Sequence, residues 1–196
     1  MIFQIIALII LLIFYGCYFG KMISQKKRGI KTDQIGKGKT GFVKVVELTM
    51  KVATIAVPIV EVISIGFSTT CLPVYARICG VVLALIGDVV FICSILTMRD
   101  SWRAGVAEED KTELVTSGIY KISRNPAFLG FDLVYIGILL MFFNWGLFVV
   151  SVFAIMMFHL QIVNVEEDFL IKTFGEDYLA YRKKVNRYLG RKLTAY

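Results

Sequence analysis

Apolar residues fall into five long blocks along the chain, 1–20, 46–67, 74–96, 126–143 and 145–165, and the stretches between most of them are charged. Each block is close to the ~20 residues that carry a helix across the hydrocarbon core of a bilayer. The pattern predicts an all-α integral membrane protein with about five transmembrane helices. The last two blocks are parted only by Asn144 and its neighbours, too little chain for anything but a tight helical hairpin. Beyond the fifth block, Phe169, Leu170, Phe174, Tyr178 and Tyr181 recur at helical spacing opposite Lys172, Glu176, Arg182 and Lys183. This predicts an amphipathic helix lying along the membrane surface.

The first block has no Lys or Arg before it and no A-x-A-like cleavage site, and its charges begin after it at Lys21, so it is expected to stay as an anchor. Between 21 and 44 stand Lys21, Lys26, Lys27, Arg28, Lys31, Lys37, Lys39 and Lys44 against one acid, Asp33. The positive-inside rule places that loop in the cytoplasm and the N-terminus outside. Counting forward, 67–74 is an outer turn, while 97–125 and everything after 165, the C-terminus included, return to the cytoplasm. The chain divides naturally into an N-terminal part, 1–96, and a C-terminal part, 97–196.

Composition supports the membrane reading: 57% of the 196 residues are hydrophobic, above the roughly 45–50% of soluble domains, and the mean hydropathy is +0.72. The net charge of +7 comes from loops and tails beside the spans, which suits anionic membrane lipids and topology better than nucleic acid. Cys17, Cys71, Cys79 and Cys93 show no C-x-x-C spacing and read as small packing residues. His159 is the only histidine, too few for a metal site, and none is expected. "GKGKTG", 36–41, lacks P-loop spacing and reads as a flexible loop.

The fourth block opens on "SRNPAFLG", 123–130. Asn125 is a favoured N-cap, and Pro126 suits the first helical position. The hairpin then returns the chain to Glu166 and Glu167, so Arg124 and this acidic pair are expected to meet at the cytoplasmic membrane edge. A mutual salt bridge is one reading. The other is a site for a zwitterion, with a guanidinium for a carboxylate and carboxylates for an ammonium or sugar hydroxyls. Glu61, Asp88 and Asp132 lie inside apolar blocks, where acids tend to face a cavity or a partner.

The run "LVTSGIYKISRNPAFLGFDLVYIGILL" followed by "VEEDFLIKTFGEDYLAYRKKVNRYLG" resembles the isoprenylcysteine carboxyl methyltransferase family and the related phospholipid methyltransferases, over about residues 99–190. The matching elements are Arg124-Asn125-Pro126, the hairpin, Glu166-Glu167, and Phe174-Gly175 with Tyr178 and Tyr181. The resemblance implies an enzyme that takes S-adenosylmethionine in a cytoplasm-facing pocket, with 97–196 as its core, and methylates a lipophilic or lipid-linked acceptor. It implies Arg124 and Glu167 as catalytic residues. It implies Gly118, Ile119, Tyr120, Arg124, Asn125, Pro126, Leu129, Glu166, Glu167 and Tyr181 as the cofactor site. Asp132, about two turns from Asn125, Tyr135 and Arg187 are substrate-pocket candidates on their position and chemistry. Two departures stand out: Asn125 replaces the family's histidine, and Phe128 stands where tyrosine is frequent.

Methyl transfer from a sulfonium mainly needs alignment of nucleophile, methyl and sulfur. A carboxylate acceptor needs no base, and Arg124 or Arg187 are candidates to hold it. An amine or thiol acceptor would call on Glu167 or Tyr181 as base. Trp102, Tyr120, Phe128 and Tyr135 offer aromatic faces, as sulfonium contacts or as interface anchors. The alternatives are a membrane reductase using a nicotinamide, with a similar C-terminal hairpin, and a non-enzymatic membrane protein.

Overall fold

Residues 1–68, 70–106 and 113–192 are described by the structure, a computed structural model. Every apolar block becomes helix: α1 (Ile2–Lys27), α2 (Gly41–Phe67), α3 (Val74–Met98), α4 (Pro126–Met141) and α5 (Trp145–Gln161). A five-residue π turn, Ile162–Glu166, leads from α5 into α6 (Glu167–Lys184). Part of the predicted cytoplasmic loop, 107–112, lies outside the described residues. Four helical runs are long and apolar enough to cross a bilayer: α1, α2, α3 and the run that begins with α5. The exception is α4, whose 16 residues rise about 24 Å against a hydrocarbon core of about 30 Å. The fold is that of an all-α integral membrane protein.

The tightest seam joins α3 to α4, and small residues make it. Gly80, Ala84 and Gly87 of α3 face Gly137 and Gly130 of α4. A Cβ placed on Gly80 would stand 2.5 Å from the carbonyl oxygen of Gly137, and one on Gly137 would stand 2.6 Å from that of Gly80. Lipid tails are as apolar as leucine, so helices in a membrane associate through such close backbone contact rather than by hiding apolar surface from water. Across from this seam, α1 adds Phe14, whose ring lies 4.6 Å from Phe91 and 4.7 Å from Phe131.

The two ends of the bundle differ in chemistry. At one end, the Gln4 amide donates to the Ile65 carbonyl, and the Arg77 guanidinium lies over the rings of Phe3 (4.1 Å) and Phe142 (5.3 Å). Asn144 caps α5 there: its Oδ1 accepts from the Leu147 amide at 2.9 Å and its Nδ2 donates to Ser64 Oγ at 2.8 Å. Replacing Asn144 with alanine removes both bonds, and a lost N-cap costs about 1 kcal/mol. The expected result in detergent is a Tm lower by roughly 2–4 °C; an unchanged melting curve would contradict the capping role.

At the other end gather the connection after α1, the chain after α3, the π turn, α6 and the C-terminal segment. Cys17 is half-buried and packs against the core, while Cys71, Cys79 and Cys93 are exposed. The outward positions of Cys71, between α2 and α3, and of Cys79 and Cys93 on α3 differ from the packing role expected of them. The two parts of the chain share one interior, since α3 packs on α4 and α2 on α5.

Candidate functional site

Four local features assemble the site. Asn125 and Pro126 start α4, with Pro126 at the first helical position, which leaves Arg124 just outside the helix. The π turn inserts an extra residue between α5 and α6, so the two helices do not share a register; Glu166 and Glu167 then face different surroundings. Gly175 breaks α6 with φ +49°, a conformation that suits glycine, and carries Tyr178 and Tyr181 back over Arg124 and Tyr120. Beyond α6, the C-terminal segment pairs with the approach to α4: the Arg124 amide donates to the Asn186 carbonyl (3.1 Å) and the Gly190 amide to that of Ile122 (2.7 Å).

The salt bridge anticipated from sequence forms between Arg124 and Glu167. Arg124 Nη2 lies 3.0 Å from Glu167 Oε1, both side chains being about 95% buried. The rest of the guanidinium is occupied as well, since Nε donates to the Val185 carbonyl and Nη1 to the Tyr178 hydroxyl. Arg187 grips the same carboxylate with Nε at 2.7 Å and Nη2 at 3.2 Å, and Arg182 stands 3.7 Å away. The hydrogen bonds to Glu167, and then its charge, push the Arg187 guanidinium above its ordinary pKa. Glu167 is therefore the hub of a cationic latch.

Beside the latch lies a chamber of about 190 Å³. Tyr18, Trp102, Phe128, Phe131 and Phe158 form its aromatic wall, and Phe169, Leu170, Phe174, Tyr178 and Tyr181 cover it. The apolar face of α6 thus turns toward the chamber. Polar groups reach it from Arg103, Glu113, Arg124, Asn125 and Glu166. Tyr120 joins the lining from the turn Gly118–Lys121. Its hydroxyl bonds to Ser94 Oγ at 2.9 Å, its carbonyl accepts from Tyr181 Oη at 2.6 Å, and burial raises its pKa above the ordinary tyrosine value.

Of the residues picked out from sequence, Tyr120, Arg124, Asn125, Glu166 and Tyr181 meet at this chamber, as do Trp102 and Phe128. Gly118 and Ile119 shape the turn that presents Tyr120, and Pro126 and Leu129 sit on α4 behind the lining. Glu167 and Arg187 belong to the latch. Asp132 and Tyr135 lie deeper along α4, where Asp132 Oδ1 has no hydrogen-bond partner among the described residues and the Tyr135 hydroxyl is turned to that of Tyr15. Glu61 and Asp88 are likewise buried away from the chamber. His159 Nδ1 and the Tyr188 hydroxyl are 2.6 Å apart.

Sequence reasoning passed over Lys39 and Glu47. They form a buried ion pair close to Glu166, and "GKGKTG", taken as a flexible loop, is held by it. The legible signal was an acid, Glu47, at the start of an apolar block just after a basic loop.

The profile of the phospholipid methyltransferase family matches residues 75–177. That is 103 of 196 residues, more than half of the chain, and it carries the Arg124 approach, the hairpin and the Glu166–Glu167 pair. The chain belongs to the phospholipid methyltransferase family. Within the curated proteins it is similar to the protein-S-isoprenylcysteine O-methyltransferase of Xenopus laevis, at 34% identity over 57% of this chain and 39% of that one. The Saccharomyces cerevisiae protein of the same name matches at 29% over 61% of this chain and 51% of its own length, and the Mus musculus protein at 32% over 54% and 38%. The chain thus spans about half the length, or less, of these relatives.

Proposed function

We propose that this protein is a membrane-embedded methyltransferase that uses S-adenosylmethionine and methylates the carboxylate of a lipophilic, prenylcysteine-like acceptor. The observation that carries the reading is the chamber itself. An aromatic, apolar volume with a carboxylate, an amide and guanidinium groups at its rim suits a zwitterionic sulfonium beside a greasy acceptor. The residues fit the donor in kind: Glu166, half-buried and lining the chamber, accepts from an ammonium or ribose hydroxyls, and the rings of Trp102, Tyr120 and Phe128 favour positive charge.

S-adenosylmethionine supplies, when bound, an electrophilic methyl group on a positively charged sulfur. The protein has to exclude water and hold the acceptor in line with the carbon–sulfur bond. The transfer makes a carbon–oxygen bond as the carbon–sulfur bond breaks. The sulfur keeps the electron pair, the carboxylate and sulfonium charges cancel, and no proton moves. The two candidate bases agree with this economy. Glu167 is committed to Arg124 and Arg187, and the Tyr181 hydroxyl already donates to the Tyr120 carbonyl. Neither is poised to take a proton, which favours a carboxylate acceptor over an amine or thiol.

Orientation follows from charge. Arg77 sits at the end of the bundle away from the chamber, and the other 21 of the 22 Lys and Arg residues lie at 21–51 or 99–192. The positive-inside rule then puts the chamber and C-terminus on the cytoplasmic side and the N-terminus outside. Calorimetric titration of detergent-purified protein with S-adenosylhomocysteine, and transfer of labelled methyl to a prenylcysteine analogue, test the reading together. The expected result is saturable binding and a base-labile methyl ester. No heat with the homocysteine compound, or heat with NADPH in its place, would overturn it.

A further inference from the structure

The connection 28–40 lies ahead of the segment that matches the family and acts as a strap over one side of the chamber. Its fastenings are regular. The Gln34 amide donates to the Ala104 carbonyl (2.8 Å), and the Ala104 amide to that of Thr32 (3.0 Å). Thr32 Oγ1 donates to Gln25 Oε1 (2.8 Å), and Gln25 Nε2 to the Trp102 carbonyl (3.0 Å). Ile35 from the strap, and Trp102 and Ala104 from the chain it pairs with, line the chamber. This strap is a wall of the site.

Its far end is tied by charge. Lys39 Nζ bonds to Glu47 Oε1 and to the Val106 carbonyl, the latter at 3.1 Å, and the Gly36 amide donates to Glu47 Oε2. Glu47 is 0% exposed and Lys39 is 8% exposed. An ion pair so deeply buried seldom stabilises a fold more than apolar residues of the same shape would, so its presence calls for another reason. Gln161 Nε2 approaches Glu47 Oε1 at 3.4 Å and also hydrogen-bonds to Glu166, which feels the charges of Glu47 and Lys39. Three elements are thus linked: Lys39 of the strap pairs with Glu47 of α2, and Gln161 joins Glu47 to Glu166 of the π turn. Tyr120, on the turn before α4, lines the same chamber as Glu166.

We propose that Lys39 and Glu47 are positioning residues for Glu166, setting its charge and direction at the polar rim, so that the strap 28–40 is a working part of the methyl-donor site. This rests on the donor reading of the chamber. Lys39 pairs with Glu47 and with the Val106 carbonyl, and Gln161 transmits the arrangement from Glu47 to Glu166. Without Lys39, the Glu47 charge would act on Glu166 uncompensated; without the Glu47 charge, the field of Lys39 alone would reach Glu166.

The test is the pH dependence of S-adenosylhomocysteine binding to the full chain in detergent, for wild type and the variants Lys39→Met, Lys39→Arg and Glu47→Gln. The acid-side midpoint of binding is expected to rise by about one pH unit in Lys39→Met, because a nearby cation is removed from a carboxylate. It is expected to fall in Glu47→Gln and to stay near wild type in Lys39→Arg. Weaker binding with an unmoved midpoint in both charge-removing variants would mean a merely structural strap and would overturn the proposal. Removing one member of a buried pair can prevent folding, so the paired variant Lys39→Met/Glu47→Gln is measured with and without Glu166→Gln. Expected there is binding about tenfold weaker than wild type, with little further loss on adding Glu166→Gln. A paired variant that binds like wild type overturns the positioning role. Wild type that binds nothing at any pH overturns the donor reading instead.

Discussion

Substitution of Glu167 by alanine is expected to abolish S-adenosylhomocysteine binding and to release the C-terminal segment. The carboxylate is 4% exposed and holds Arg124 and Arg187, with Arg182 at 3.7 Å. Breaking a buried pair by removing one partner costs about 3–5 kcal/mol, because the remaining charge is left uncompensated in a poorly solvated place. Here the orphaned cations include Arg124, which also holds the Val185 carbonyl and, through its amide, the Asn186 carbonyl. Hydrogen exchange at 185–191 should rise sharply in Glu167→Ala, and affinity should fall by at least about a hundredfold, the equivalent of roughly 2.7 kcal/mol. Glu167→Gln retains the shape and two acceptor sites at most, so a smaller loss is expected. Exchange at 185–191 unchanged from wild type would show that Glu167 does not organise the latch.

The second large effect belongs to the helix seam. Leucine at Gly137 would drive its Cβ to 2.6 Å from the Gly80 carbonyl and 2.7 Å from the Ala84 amide, contacts that only separation of α3 and α4 relieves. Overpacking of this kind typically costs 1–3 kcal/mol, roughly, and more where backbone meets backbone. Since α4 carries Arg124, Asn125 and Phe128 at its beginning, opening the seam should also spoil the chamber. Gly137→Leu is therefore expected to lower the Tm in detergent by about 5 °C or more and to remove ligand binding. Gly16 and Gly20 provide the control, since a Cβ there meets nothing within 4 Å. Gly16→Ala should be neutral or slightly stabilising, by up to about 1 kcal/mol of helix propensity. Equal melting temperatures for Gly137→Leu and Gly16→Ala would remove the seam from the account of stability.

The helices were legible because a bilayer demands long apolar runs, and 1–20, 46–67, 74–96, 126–143 and 145–165 announce themselves by composition alone. The meeting of Arg124 with the acidic pair was legible too, since a hairpin whose helices are joined by only three residues, 142–144, must bring its two ends together. The division of labour inside the pair was not. Glu166 and Glu167 are adjacent in the chain, so they point about 100° apart around the helix axis, one to the chamber and the other to the arginines; which goes where depends on the π turn before them, and an extra residue in a helical turn leaves no clear periodicity to read. Lys39 was hidden for a different reason. In a run of eight basic residues none looks special, and its burial depends on a strap whose path is set by hydrogen bonds to Thr32, Gln34 and Ala104. The glycines of α3 and α4 were visible as letters, but their pairing depends on which helices are neighbours.

The C-terminal segment has a consequence for the order of events at the ribosome. Arg124 emerges long before its partners: Glu167 is made 43 residues later, and Asn186 and Gly190, which take up the backbone next to it, later still. The hairpin of α4 and α5 can enter the bilayer while the arginine still has neither counter-charge nor backbone partner. A nascent chain halted before Gly190 would thus be inserted and helical while the approach to α4 still lacked its backbone pairing. Synthesis from the N-terminus leaves the Arg124 side of the chamber unfastened until the segment that pairs with it has been made.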